Sequence, residues 1–260
     1  MRTSTTRDKS VVGKTWFIRI LAAAFWIIVW QLASMWLKQE ILLASPVSVI
    51  KKLGELVVTA DFWKSAGFSF VRIVLGFLLG LMTGALLAVL SYVSFLAAIL
   101  LKPLITVVKS TPVASFIILC LIWIPSRNLS VFISFLMVLP VVYTNLYEGI
   151  RQTDRQLLEM AEVFGVRMGK RVRYIYVSQI MPYLLTGCRL GLGLCWKAGV
   201  AAEVIGVPTG SIGEKLYHAK IYLNTPDLFA WTIVIILISF LFEKLFLGLV
   251  RKIMQAIERR

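Results

Sequence analysis

RQTDRQLLEMAEVFGVRMGKRVR, residues 151–173, is a polar and positively charged stretch set between long apolar segments. The chain around it is 59% hydrophobic, with a mean hydropathy of +0.84. In such surroundings the stretch reads as a helical loop between membrane helices, a handle for a soluble partner rather than a fold of its own. Outward from it, apolar runs of about 20 residues recur, more than a soluble domain can hide. The short alternating segments of a membrane β-barrel are absent, so helices must satisfy the backbone inside lipid. The fold class is therefore all-α and polytopic, with about six spans expected near 16–37, 70–92, 95–124 (broken near Pro103), 129–150, 174–205 and 228–250.

The formal net charge of +15 would point to nucleic acid in a soluble protein. Here the basic residues cluster in loops and ends, so they report topology and no nucleic-acid partner is expected. The heaviest clusters are the tail 1–15, the loop 151–173 and the tail 251–260, which together place both termini and that loop in the cytoplasm. The first apolar run is long and aromatic-rich (Trp16, Phe17, Phe25, Trp26, Trp30, Trp36) and lacks a small-x-small exit, so it is expected to stay as an anchor. Cys120, Cys188 and Cys195 lie in apolar segments without a C-x-x-C pair, and His218 is the one histidine. That set is too thin for a metal site, and the cysteines read as small buried hydrophobes.

Within the spans, Gly76, Gly80, Gly84 and Ala88 recur every four residues and form a smooth stripe where another helix can approach closely. Gly187, Gly191, Cys195 and Gly199 form a second stripe on the fifth span. The same span carries Arg189, Lys197 and Glu203 within an arc of roughly 120°, largely opposite the glycines. Charges at membrane depth face a protein interior or a wet cavity. Two readings stand: a candidate pathway lining, or structural ties to neighbouring helices.

In the loop, Thr153 or Asp154 can cap a helix running to about Phe164, and Gly165 permits a sharp exit. A second, basic helix then leads into the fifth span. Leu157, Leu158, Met160, Ala161 and Phe164 are too apolar to be left wholly in water, so span ends or a partner must cover them.

The residues here resemble the membrane-spanning subunits of binding-protein-dependent ABC importers. Their cytoplasmic signature is E-A-A, three residues, then G, and is matched by Glu159-Met160-Ala161 with Gly165. Met160 departs from the first alanine, and Val177-Ser178 stands where a later L-P is usual, with Pro182 matching a second proline. The segments KSTPVASFIILCLIWIP (109–125), Pro182 to Leu190, and AAEVIGVPTGSIGEKL (201–216) are similar to the nitrate/sulfonate/taurine/bicarbonate branch. The resemblance covers roughly residues 70 to 250 and implies a type I permease fold.

That likeness implies a non-catalytic subunit. Two permease copies, expected as a homodimer, would form the pathway for a small solute. Each would lay its loop helix into an ABC ATPase subunit, present twice, which binds ATP and Mg. An extracytoplasmic solute-binding protein would dock on the outer loops 38–69 and 206–227. No cofactor is expected on this chain, and the location implied is the bacterial inner membrane, with the lipid bilayer as solvent. The chain agrees in having no G-x-x-x-x-G-K-[ST] and no recognised catalytic motif. The alternatives are an ion-coupled secondary transporter, which needs intramembrane carboxylates and often a repeat, and a membrane scaffold recruiting a partner through 151–173.

Overall fold

Glycine spacing decides which helices touch. The computed structural model describes residues 9–258, with side chains at 18 and 20–256. The ends 1–8 and 259–260, with Arg2, Arg7, Arg259 and Arg260 of the expected tails, lie outside the described residues, as do the side chains of Lys9, Lys14, Trp16, Phe17 and Arg19. Among the described residues the centre is a layer of three long helices, α3 (Ala60–Val93), α6 (Ser126–Arg151) and α9 (Val177–Gly206). A Cβ added at Gly80 would lie 2.8 Å from Val138 Cβ, and one at Gly84 2.9 Å from Leu139 O. Gly76 meets Val131 and Ser134 in the same way, so contacts advance along both chains together and α3 runs parallel to α6.

The second stripe works in the opposite sense. Tyr183 lies on Gly149, Gly187 meets Asn145, Gly191 meets Val138, Gly199 meets Ser134 and Ile73, and Gly206 meets Leu129, so α9 is antiparallel to α6 along its length. Large side chains fill the spaces between the glycine contacts: Ile73, Phe77, Val138, Val142, Cys188, Leu192, Cys195 and Trp196 form one buried cluster. Polar pairs cross the layer, with Ser134 Oγ donating to Cys195 O at 3.2 Å and Tyr143 Oη donating to Ser91 Oγ at 3.1 Å.

Around this layer lie α1 (Lys9–Leu37), α4 (Phe95–Ser110), α5 (Val113–Cys120) and α11 (Thr225–Glu258). Among the described residues, four helical segments are long and apolar enough to cross a membrane: 20–37 of α1, α3, α6 and 225–256 of α11. The pair α4–α5, bent by 103°, makes a fifth when taken as one span. The helix α9 falls outside that set, because its glycines and its three charged residues dilute its hydropathy; it is nonetheless 30 residues long and lies against α6 throughout. The expected break near Pro103 is displaced. The helix continues through Pro103, and the chain turns at Thr111–Pro112, where Thr111 is extended (φ −74°, ψ 127°). A residue before proline is driven out of the α region, so Pro112 stops α4 more firmly than Pro103 bends it.

The segments expected as outer loops are ordered. Ser45 caps α2 (Pro46–Val57) by accepting from Ser48 N at 3.1 Å, with Pro46 in the first turn where its missing N–H costs nothing. Val49 of this helix and Ala44 just before its cap pack on Ala230 of α11. Ser211 caps α10 (Ile212–Ile221), which folds back across the ends of α9 and α3.

Candidate functional site

The loop after α6 is built around α7 (Arg155–Val163). Of the two candidate caps, Asp154 takes the position, its carboxylate accepting from Gln156 N at 2.8 Å. Thr153 is buried beneath it. At the other end Gly165 adopts φ +61°, with Gly165 N donating to Glu162 O and Val166 N to Ala161 O, both at 2.9 Å. That pair of bonds satisfies carbonyls at the end of the helix and requires the left-handed conformation that glycine adopts without strain. A short α8 (Met168–Arg171) and a π-helical turn, Val172–Tyr176, then lead into α9.

One face of α7 is internal: Ala161 is buried, and Leu157 and Leu158 are half-buried. The other is open, with Met160, Phe164 at 77% and Val163 at 85% exposed. Of the expected signature residues, Glu159 and Met160 lie outside and Gly165 shapes the exit, whereas Ala161 faces inward. A shallow cleft of ≈ 250 Å³ beside this face is lined by charged and polar side chains including Arg155, Glu159, Glu162 and Arg171. An apolar patch rimmed by charges is the composition of a protein-docking surface. Val163, its most exposed member, was not singled out by the sequence; its i+3 position after Met160 was the available signal.

The three charged residues of α9 do not act as one group. Arg189 and Lys197 are exposed on the chain surface. Arg189 Nε lies 3.9 Å from Glu243 Oε1 of α11, and Lys197 and Glu243 share a cleft of ≈ 440 Å³ between α9 and α11. Glu203 has no exposed surface and is separated from them. Ser69 Oγ donates to Glu203 Oε2 at 2.6 Å, Gly213 N approaches the same oxygen at 3.4 Å, and Ile212 N donates to Ser69 Oγ at 2.9 Å. Gly213 packs directly on the Glu203 side chain. α10 and α3 cover the last turns of α9 around Glu203, which periodicity along α9 does not reveal. Cys120, Cys188 and Cys195 are free and buried.

The helical membrane bundle, the small-residue contacts and the capped loop helix with its open apolar face define a class: a multi-pass helical membrane protein that presents an exposed apolar surface on one of its loops. Residues 76–259 match the model of the family described as binding-protein-dependent transport system inner membrane component. The chain belongs to that family; it is a permease subunit of an ABC importer in the inner membrane and forms a solute translocation pathway. It is similar to a putative aliphatic sulfonates transport permease protein, SsuC of Bacillus subtilis (strain 168), at 26% identity over 92% of this chain and 87% of the relative. It is also similar to the taurine transport system permease protein TauC of Escherichia coli (strain K12), at 26% identity over 89% and 83% of the two chains. The nitrate import permease protein NrtB of Synechococcus elongatus matches at 26% identity over 77% of this chain and 75% of its own. These relatives make up the nitrate, sulfonate and taurine branch, and the function of such a subunit depends on an ATPase and a solute-binding protein.

Proposed function

We propose that two identical copies of this chain form the pathway for a small anionic or zwitterionic solute of the sulfonate, taurine or nitrate kind. Each copy lays α7 into one of two ABC ATPase subunits, which hold ATP and Mg. The observation carrying this reading is the open face of α7, where Met160, Val163 and Phe164 project beside Glu159 on a helix capped by Asp154 and closed by Gly165. The loop 151–173 and both termini are cytoplasmic, and α2 and α10 lie at the outer face, where the solute-binding protein docks. The positive bias of the loop and tails supports that orientation.

The ATP chemistry belongs to the partner, and this chain supplies docking and passage. Closure of the two ATPase subunits moves α7 and rocks the bundles between inward- and outward-open states. Arg189 and Lys197 lie on the exposed side of α9, which faces the pathway between the copies and attracts an anion. The glycine contacts among α3, α6 and α9 keep each bundle rigid enough to rock as a unit.

The test is co-purification of the tagged chain with the neighbouring ABC ATPase, followed by ATP hydrolysis in proteoliposomes. Hydrolysis is measured with a binding protein loaded in turn with taurine, an alkanesulfonate or nitrate. A stable complex stimulated by one of them is the expected result. Solute flux that continues without any ATPase would favour ion-coupled transport, and a complex without flux would favour a scaffold.

A further inference from the structure

The loop bearing α7 is joined to α9 by two routes. Along the chain the joint is the π-helical turn Val172–Tyr176, where Val177 N bonds to Val172 O. Such an i→i+5 turn interrupts the regular i→i+4 ladder between the loop and α9, the kind of irregularity that recurs at functional sites. The second route bypasses it. Gln179 Oε1, on α9 beyond the turn, accepts from the backbone N–H of Asp154 at 2.7 Å. One helical turn further, the Tyr183 hydroxyl donates to Gln152 Oε1.

Packing holds this second route in place. The Tyr183 ring lies so close to Gly149 that a Cβ there would come 2.8 Å from Tyr183 Cγ. Gln152 is oriented from its own helix, its Nε2 donating to Glu148 Oε1 at 2.7 Å, and Thr153 between the two linked residues is buried. The segment 152–154, which ends in the cap of α7, is thus fastened to the regular part of α9. Neither Gln179 nor Tyr183 belongs to the open patch of Met160, Val163 and Phe164.

We propose that Gln179 and Tyr183 are positioning residues: they clamp the α7 cap to α9, so that a displacement of α7 passes around the π-helical turn into the helix bearing Arg189 and Lys197. Arg189 is about 15 Å along the helix from Gln179 at 1.5 Å per residue. This inference rests on the reading of α7 as the ATPase-docking helix. It adds which contact transmits the motion and which helix receives it. A residue that merely stabilised the loop would change assembly and leave the solute moved per ATP hydrolysed unaltered.

The test uses the complete complex in proteoliposomes, with whichever of taurine, an alkanesulfonate or nitrate stimulates the wild type. The double variant Gln179→Leu with Tyr183→Phe is expected to capture the ATPase as the wild type does, while solute moved per ATP falls about tenfold. Gln179→Glu, which keeps an acceptor oxygen, is expected to stay within about twofold of wild type. In a second measurement Asp154→Cys with Gln179→Cys lowers the ratio, and joining the pair with a short thiol-reactive linker restores it; the three native cysteines are buried. A wild-type ratio in the double variant, or transport abolished by the linker, overturns the clamp. Loss of ATPase capture in the double variant also overturns it, because the residues would then hold the docking surface and not the link to α9. A wild-type chain that captures no ATPase overturns the docking reading itself, a failure visible before any variant is compared.

Discussion

Ser69 Oγ donates to Glu203 Oε2 at 2.6 Å, joining α3 to α9 across 134 positions of sequence with no exposed surface on the carboxylate. The same hydroxyl accepts from Ile212 N, so one side chain fastens three helices. Ser69→Ala removes a donor from a buried carboxylate and leaves the Ile212 amide without its acceptor. A cost of about 1–3 kcal/mol is expected. It is read as a lower thermal midpoint of the purified complex and faster proteolysis after Lys215 or Lys220 on α10. Unchanged values would mean that α10 is held by its apolar contacts alone.

The open face of α7 gives a second prediction. Phe164→Asp places a charge at the centre of the patch, and a buried aromatic anchor in an interface is worth about 2 kcal/mol or more. ATPase capture is expected to fall correspondingly, while the yield of inserted protein stays constant. Glu159→Arg reverses a rim charge and is expected to weaken capture in a salt-dependent way. Normal co-purification and transport in both variants would remove the face from the docking surface.

Gly80 lies against Val138 and Phe135 of α6 with no space for a side chain. Gly80→Leu must push α3 from α6, and overpacking of this kind costs about 1–3 kcal/mol. The expected readout is a lower unfolding midpoint in detergent and loss of the purified complex. Gly67, whose Cβ position is open, is the control, and Gly67→Ala should behave as wild type.

Arg189 and Lys197 are exposed on α9 and share neighbours with Glu243. Arg189→Gln with Lys197→Gln is expected to slow anion transport about tenfold, on the scale of a lost charge-assisted contact, while ATPase capture is retained. Equal loss for a neutral solute, or no loss at all, would place both residues outside the pathway.

Several features were legible in the sequence because they depend on neighbours along the chain. The apolar runs defined an all-α membrane protein, Gly165 and a cap at Thr153 or Asp154 bounded α7, and the four-residue glycine spacing marked surfaces made for close approach. Each follows from helical periodicity, backbone conformation or the absence of water in lipid, which act locally. The break in the third span was misplaced for a local reason: two prolines lie in that span, and the extended conformation of Thr111 puts the break before Pro112.

Tertiary structure decided what meets what. Gly76 and Gly199 both reach Ser134, from α3 and α9, which no pattern within either helix specifies. Glu203 shares an arc with Arg189 and Lys197 on α9, yet α10 folds over it and Ser69 holds it, so one helix face is divided between a buried tie and an exposed lane. Gln179 and Tyr183 are unremarkable as residues of a span end, and their contacts with the α7 cap exist because α6 and α9 run antiparallel with Gly149 under the tyrosine ring. The sequence by itself determined the helical membrane class, the apolar runs and the bounds of the loop helix α7 to within a residue, through short-range sterics and hydropathy. The pairing of distant side chains came only with the packed bundle, because it depends on the directions and covering of whole helices.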